Sequence, residues 1–583
     1  MIRMRTAVVL TLMALATRPD PAVRADADTG VPSKDGMVVC TSAPACDAGA
    51  AVLAKGGNAV DAAVATAFAL AVTHPSAGNI GGGGFMVVRS PNGAVTTFDY
   101  REKAPQKSTR AMYMRDGKVD ISLTNAGYLA PGVPGTVRGL ALAHKKFGKL
   151  PWKDVVMPGV QLAEEGFAIS DGLARGLNAQ LAGAMSRFPA SVEAYGKPGG
   201  GTWAGGDRLV LKDLGKTLRA IATDGPDAFY KGWIADRIAD DLAANGGLIT
   251  KADLAAYEAK ERAPVKGTFR GYDIASMPPP SSGGVALIEM LNMLEAFDLK
   301  AKGFTSAEAK HLEIEAMRRA YLDRARFLGD PDFVQIPLTK LLSKDYARTL
   351  SSTIDPAKAS SSLELGKDII TAVPREAEET THFSVIDRLG MAVSNTYTLE
   401  GGYGSRVVVK GAGFLLNNEM GDFNKNPGVT SADGTIGTPA NLIDPGKRML
   451  SSMTPTIVSK GGKVVLITGS PGGRTIINTV FCVVLAATEF RMNVRAAVDA
   501  PRMHHQWMPD TISMERSGAT EELLQKLRAM GHTVNPGERA GGAQGDANSI
   551  GVDAGGTAWG ASDKRSADGK TSVARLTSTA SRQ

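Results

Sequence analysis

The sequence predicts a mixed α/β chain whose second part, after about residue 380, is rich in strand. Three observations predict it. Thr380-Thr381-His382-Phe383-Ser384-Val385-Ile386-Asp387 runs into Met391-Ala392-Val393-Ser394-Asn395-Thr396-Tyr397-Thr398 as a hairpin, both arms rich in β-branched and aromatic residues. Residues 130–350 carry mostly helical periods. The composition is globular, 43% hydrophobic and 21% charged, which argues against disorder. At 583 residues the chain has room for more than one domain. The net charge of +7 is mild for this length, and no dense run of Lys and Arg marks a nucleic-acid surface.

In chain order, the first residues read as a secretory signal. Arg3 and Arg5 give a positive start and residues 7–16 a short apolar run. Ala14-Leu15-Ala16 and Ala25-Asp26-Ala27 are the candidate cleavage sites, and the domain reading takes residues 1–27 as the signal. The run is too short for a membrane span, so the expected location is periplasmic or secreted. Three cysteines make no disulfide framework. Cys482 reads as core, and pairing of Cys40 with Cys46 is left open. Residues 45–55 read as a helix closed by Gly56-Gly57. Asn58 then caps a helix to about Thr73 that is apolar nearly all round and therefore buried. Gly81 to Gly84 precede a strand with no Gly-Lys-Ser/Thr, so they read as close backbone packing and not as a phosphate loop. Residues 94–100 read as a strand ending at Arg101. Helices are expected over 137–147, 231–244, 285–297 and 306–327, with Ser281-Ser282 as an N-cap.

The hairpin holds the candidate chemistry. A three-residue loop, Arg388-Leu389-Gly390, places Gly390 in the left-handed position and sets a register in which Thr380 faces Thr398, Cβ atoms roughly 5 Å apart. The preceding stretch, 356–379, is rich in Ser, Ala, Lys and Glu and reads as exposed and mobile. A tail of that kind ending on a Thr that opens a core strand points to cleavage between Glu379 and Thr380. The new N-terminal Thr joins a hydroxyl nucleophile to its own base; an α-amine has a reference pKa of about 7.7–8.0. Thr398 supplies a second hydroxyl to hold Oγ. Beyond the hairpin, residues 411–417 read as strand and 426–447 as a long loop, of a length that is usually functional or disordered. Residues 463–469 read as strand, 476–488 as a buried helix, 521–530 as a helix closed by Gly531, and 534–559 as Gly-rich with short strands. His504-His505 lacks a third ligand at metal-site spacing and reads as structural.

Several ordered motifs now carry a resemblance. Thr380-Thr381-His382-Phe383-Ser384-Val385 with Thr396-Tyr397-Thr398 resembles the start of the small subunit of γ-glutamyltranspeptidases, N-terminal-nucleophile hydrolases that cleave themselves in two. Leu415-Leu416-Asn417-Asn418-Glu419-Met420, Leu450-Ser451-Ser452-Met453, Gly469-Ser470-Pro471-Gly472-Gly473 and the stretch from Ala500 to Trp507 continue it. Upstream it includes Gly56 to Ala63, Gly81 to Gly84 and Tyr100-Arg101-Glu102, so that it spans residues 36–566. The resemblance implies an α/β (α+β) four-layer αββα sandwich built from two subunits, 28–379 and 380–583, that stay together as a heterodimer. It implies Thr380 as nucleophile beside Thr398, and backbone N–H groups of Gly472 and Gly473 as the oxyanion hole. Arg101, Ser451 and Ser452 are expected to take a substrate α-carboxylate, and Glu400, Glu419 and Asp422 an α-ammonium. The implied substrates are glutathione and other γ-glutamyl compounds, with water, amino acids or dipeptides as acceptors, and with no cofactor or metal. Two positions depart from the commoner pattern. Glu400 stands where many relatives carry Asn and others Glu, and Asp433 stands near the place of a lid's aromatic tip. Two other readings compete: a cephalosporin (glutaryl) acylase of the same family, against which Glu419, Asp422 and Arg101 argue, and an exported binding protein that never matures.

Overall fold

The computed structural model describes residues 29–370, 380–537 and 544–575. The signal reading of residues 1–27 and the Glu379 side of the expected cleavage site lie outside the described residues. Two seven-stranded sheets face each other. One runs, in order, Lys570–Val573, Gly36–Cys40, Thr381–Asp387, Ala392–Thr398, Gly83–Arg89, Val95–Asp99 and Lys260–Arg262. The other runs Val31–Ser33, Ala558–Ala561, Ser549–Val552, Lys463–Thr468, Thr456–Lys460, Tyr272–Ser276 and Val265–Phe269. Helices Ala43–Ala54, Ala59–Thr73, Trp152–Glu165 and Lys212–Asp224 cover the outer face of the first sheet. Helices Gly283–Leu294, Ala307–Phe327 and Thr475–Thr488 cover the second. The result is the expected helix–sheet–sheet–helix sandwich. Among the described residues no helix is long and apolar enough to cross a membrane.

The seam between the sheets changes character along its length. At one end Met37, Val39, Val87 and Ile386 pack on Ile457, Val464, Ile467 and Ile550. At the other, the same alternation of strand residues points hydroxyls and an imidazole inward. Ser384 Oγ donates to Asn548 O at 2.8 Å, Ser394 Oγ to Thr468 O at 2.8 Å, and His382 Nδ1 lies 2.8 Å from Thr396 Oγ1. The hairpin of Thr381–Asp387 and Ala392–Thr398 therefore ends in a polar seam, not in oil.

Asn58 forms a full capping box on the helix Ala59–Thr73, accepting from Val60 N and Asp61 N while Asp61 accepts from Asn58 N. Asp387 at the hairpin turn accepts from Ala59 N (3.1 Å), Leu389 N (2.9 Å) and Met391 N (3.0 Å), tying the turn to that helix. Gly390 sits at φ +81° as the three-residue loop requires. Cys40 and Cys46 are joined in a disulfide, Cα atoms 5.7 Å apart, and Cys482 is half-buried against the second helical layer.

Four expectations are corrected. Strand is not confined to the second part: each sheet takes strands from both sides of position 380. The strands Lys260–Arg262 and Val265–Phe269 are sheet edges, where charge replaces apolar alternation. Residues 411–417 form only isolated bridges, because Gly411 and Gly413, at φ +75° and +77°, turn the chain. The part of 356–379 that is described is largely exposed, as expected, but it is anchored: Ser362 is buried, its carbonyl accepts from Trp507 Nε1 at 2.8 Å and its N–H donates to Asp510 at 2.8 Å. Ser282 is helical in backbone and makes no capping bond; its hydroxyl is drawn to Ser451 O, 2.6 Å away.

Candidate active site

Thr380 sits one residue before the central strand Thr381–Asp387. The pairing of Thr381 with Tyr397 and of His382 with Thr396 gives the expected register, and Thr380 Oγ1 lies 3.2 Å from Thr398 Oγ1. Thr398 is held on three sides. Its Oγ1 accepts from Glu400 N at 2.8 Å, its carbonyl accepts from Asn79 Nδ2 at 2.8 Å, and it pairs with Gly83 on the next strand. The glycine run makes this possible. A Cβ on Gly82 would lie 2.1 Å from Thr398 O, and one on Gly81, Gly83 or Gly84 would meet other backbone or side-chain atoms at 2.2 to 2.5 Å.

One cleft is lined by Thr380, Thr398, Arg101, Glu400, Glu419, Asp422, Ser451, Ser452 and Gly473. These residues come from positions far apart in the chain, and the fold brings them to one cleft. Gly472 stands next to the lining residue Gly473; the two adopt φ +125° and +50° in the turn that leads into helix Thr475–Thr488. That backbone is strained for any residue with a Cβ.

The charged end of the cleft is built around Arg101, which is fully buried. Its guanidinium contacts Glu419 and Asp422 directly and lies 3.5 Å from Glu102. It also donates to Met449 O and Leu450 O, both at 3.2 Å. Burial alone would lower its pKa, but Glu419, Asp422 and Glu102 outweigh it and raise the value. Burial pushes the carboxyls of Glu102 and Glu419 up against the pull of Arg101, Glu102 to about 8. One guanidinium does not balance these acids in a buried space. Glu419 Oε2 and both oxygens of Glu102 are buried without a hydrogen-bond partner. Glu400 adopts φ +77° and accepts from the Asn418 side-chain amide.

Histidine is placed against a catalytic role. His382 shares the inward face with Thr380, but its Nδ1 lies 2.8 Å from Thr396 Oγ1 and its Nε2 3.1 Å from Ser384 Oγ. Burial lowers its pKa to about 3, so the ring is neutral. His504 bonds Asn478 and Gln506, and His505 bonds Asp510, in keeping with a structural reading. Among the described residues, His311, Glu315 and His532 form a group with metal-ligand spacing, unseen in the sequence because His532 lies far along the chain. Its donors are already engaged: His311 Nδ1 lies 2.7 Å from His532 Nε2, and Glu315 accepts from Arg318 and Arg319.

Sequence reasoning missed Arg324, Asn424, Thr438 and Asn441, which also line the cleft. The last three belong to the 426–447 loop or its base. Asn424 Nδ2 donates to Thr438 O (2.7 Å), Asn441 Nδ2 to Asp422 O (2.7 Å) and Thr438 Oγ1 to Ala325 O (2.6 Å). The loop thus walls the cleft. Asp433 serves the loop's own turn, accepting from Ser431 and, at 3.3 Å, from Thr435 N.

Residues 45–573 match the family model described as Gamma-glutamyltranspeptidase. The chain belongs to the γ-glutamyltranspeptidase family. It is 47% identical over 562 residues to a protein of Escherichia coli (strain K12) named Glutathione hydrolase proenzyme, covering 95% of each chain. It is 37% identical, over 92% of each, to the Acylase ACY 1 proenzyme of Pseudomonas sp. (strain SE83). The solved cephalosporin acylase from Bacillus halodurans superposes with a TM-score of 0.82 at 26% identity, covering 97% of this chain and 99% of that one. Both branches of the γ-glutamyltranspeptidase family, glutathione hydrolases and acylases, are therefore within reach of this chain by similarity.

Proposed function

We propose that the chain is a self-cleaving γ-glutamyl hydrolase and transferase. The observation that carries the reading is the 3.2 Å approach of Thr380 Oγ1 to Thr398 Oγ1 in a cleft whose far end holds Arg101, Glu419 and Asp422. Cleavage of the Glu379–Thr380 bond yields a large subunit, 28–379, and a small one, 380–583, which remain a heterodimer. The freed α-amine takes the Thr380 Oγ proton, directly or through one water, and Oγ attacks the γ-carbonyl carbon. The oxyanion is held by the backbone N–H groups of Gly472 and Gly473, and losing one such donor costs on the order of 10²–10³ in rate. The C–N bond then breaks, the leaving amine takes the proton, and a γ-glutamyl ester remains on Thr380. Water, or the amine of an amino acid or dipeptide, attacks that ester and frees the enzyme.

Substrate placement follows from charge. The α-ammonium goes to Glu400, Glu419 and Asp422, where Glu419 Oε2 is a buried acceptor without a partner. The α-carboxylate goes to Arg101, Ser451 and Ser452. Ser451 Oγ accepts from Met453 N at 3.1 Å and Ser452 Oγ from Arg324 at 3.1 Å, so each hydroxyl has its single proton to give to a carboxylate. A ligand carrying both charges exchanges partners with Arg101 and its acids. Glutathione and its conjugates fit this demand. The Cys40–Cys46 disulfide favours an oxidising compartment, in line with export to the periplasm or beyond.

The test is direct. The mature protein runs as two bands on a denaturing gel, the smaller beginning Thr-Thr-His-Phe, and it hydrolyses a γ-glutamyl anilide faster when glycylglycine is added. A single full-length band in an active preparation would sink the proposal. The similarity to acylases motivates a second reading, in which a glutaryl-cephalosporin is the substrate. Such an acyl group lacks the ammonium that Glu419 and Asp422 would meet, so γ-glutamyl anilide is expected to turn over faster; the reverse order would favour the acylase.

A further inference from the structure

We propose that Arg324 is a positioning residue for the α-carboxylate end of the cleft, acting through Ser452 and, by way of Ser282, through Ser451. The assignment rests on the γ-glutamyl reading above. Arg324 lies in the last turn of helix Ala307–Phe327, where a basic side chain ordinarily only complements the helix C-terminus. Here its fork is turned to a different use. Nη2 donates to Ser452 Oγ at 3.1 Å and Nε to Ser282 Oγ at 2.9 Å. Ser282 passes the contact on, its Oγ donating to Ser451 O at 2.6 Å beside its own N–H at 2.7 Å. One guanidinium thereby fixes the hydroxyl of the second serine and the backbone of the first.

Arg101 holds the same segment from the preceding residues, donating to Met449 O and Leu450 O. The 449–452 stretch is thus clamped by two guanidiniums, one to each half. The chemistry sets a direction. A serine hydroxyl has one proton and two acceptor sites, and an N–H from a cation fills one acceptor site of Ser452. Its proton is then directed outward, and the positive charge behind it strengthens it as a donor. A carboxylate accepts only, so this arrangement favours a carboxylate and disfavours a neutral group that must itself donate. Planar two-point donation is what arginine provides and lysine does not.

The test measures binding as well as turnover, with Arg324→Gln, Arg324→Lys, Ser452→Ala and the Arg324→Gln/Ser452→Ala double variant, each confirmed as cleaved and folded. The probes are L-glutamine and its decarboxylated counterpart 4-aminobutanamide, by calorimetry and as competitors of γ-glutamyl p-nitroanilide. Arg324→Gln is expected to weaken L-glutamine about tenfold or more, the scale of a lost charge-assisted hydrogen bond. It should raise the anilide KM in step, hold kcat within about threefold, and change 4-aminobutanamide by no more than about twofold. Arg324→Lys falls between. The double variant adds less than about twofold to the worse single one, because both act on one contact. Equal weakening of the two probes, a collapse of kcat at constant KM, or fully multiplicative effects would overturn the assignment. If Arg324→Gln does not fold, Ser452→Ala carries the same discrimination between probes, and its failure to discriminate counts equally against the proposal. Calorimetry needs no turnover, so an inactive wild type defeats the γ-glutamyl function alone, whereas unchanged L-glutamine affinity in the variants defeats the role of Arg324.

Discussion

Two residues, Thr398 and His382, show what a single side chain contributes here. Thr398 Oγ1 both approaches Thr380 Oγ1 and accepts from Glu400 N, whose backbone stands at φ +77°. Thr398→Ala is therefore expected to slow precursor cleavage and turnover together, by about tenfold, since it removes two hydrogen bonds of about 0.5–1.5 kcal/mol each. A time course of the full-length band and steady-state rates check this; normal values for both would show that Thr398 positions nothing. Thr380→Ser should still cleave, and Thr380→Ala should give an uncleaved, inactive chain. His382 answers to pH. Its native ring stays neutral down to about pH 3, whereas an unfolded ring protonates near 6.5. Its contribution to stability is full above pH 6.5 and is lost as pH falls toward 3, by about 1.4 kcal/mol per pH unit. At pH 5, unfolding of His382→Gln should take up about one proton fewer than unfolding of the wild type, measurable from the pH dependence of the melting temperature.

At the scale of elements, the four glycines from Gly81 to Gly84 exist to let strands approach. Gly82→Ala would drive a Cβ to 2.1 Å from Thr398 O. Because a backbone atom must yield, we expect a loss of about 1–3 kcal/mol in stability and slower maturation, both read from a thermal melt and a gel. A variant that melts and matures like the wild type would show that the strand end has slack. This element was legible in the sequence because glycines before a strand without a phosphate-loop Lys have few uses. The hairpin register was legible for a similar reason: loop length and Gly390 leave one pairing. The edge strands near residue 265 were not, since charged and glycine-containing edges carry no apolar alternation. The Ser281-Ser282 cap holds only for Ser281, whose Oγ accepts from Gly283 N at 3.2 Å; a local pattern cannot reveal that Ser451 O, 169 positions away, draws the Ser282 hydroxyl. Arg324 was invisible for the same cause: in a helix's last turn it looks like any other basic residue. The cleft's other members were found through the family resemblance, and only the Thr380–Thr398 pair came from the residues themselves.

At the scale of the molecule, the graded seam explains how a polar site sits inside a sandwich. Met37, Val39 and Ile467 make one end apolar, while the end near Thr380 satisfies its hydroxyls by bonds between the sheets. The interleaving of strands has a further consequence. Strands from before and after position 380 pair with each other in both sheets: Thr381–Asp387 lies beside Gly36–Cys40, and Tyr272–Ser276 beside Thr456–Lys460. While the chain is whole, its halves meet at the effective concentration of a tether, on the order of millimolar. The proposed cut between Glu379 and Thr380 removes that tether, whereas the strand pairing between the halves does not depend on it. Denaturing the mature protein should therefore turn refolding from a first-order into a second-order process. Recovered activity should fall on dilution, whereas the uncleaved Thr380→Ala chain should regain its native melt at a yield independent of dilution. Maturation acts as a ratchet: the enzyme in use is a shape that its own separated pieces reach again only by finding each other.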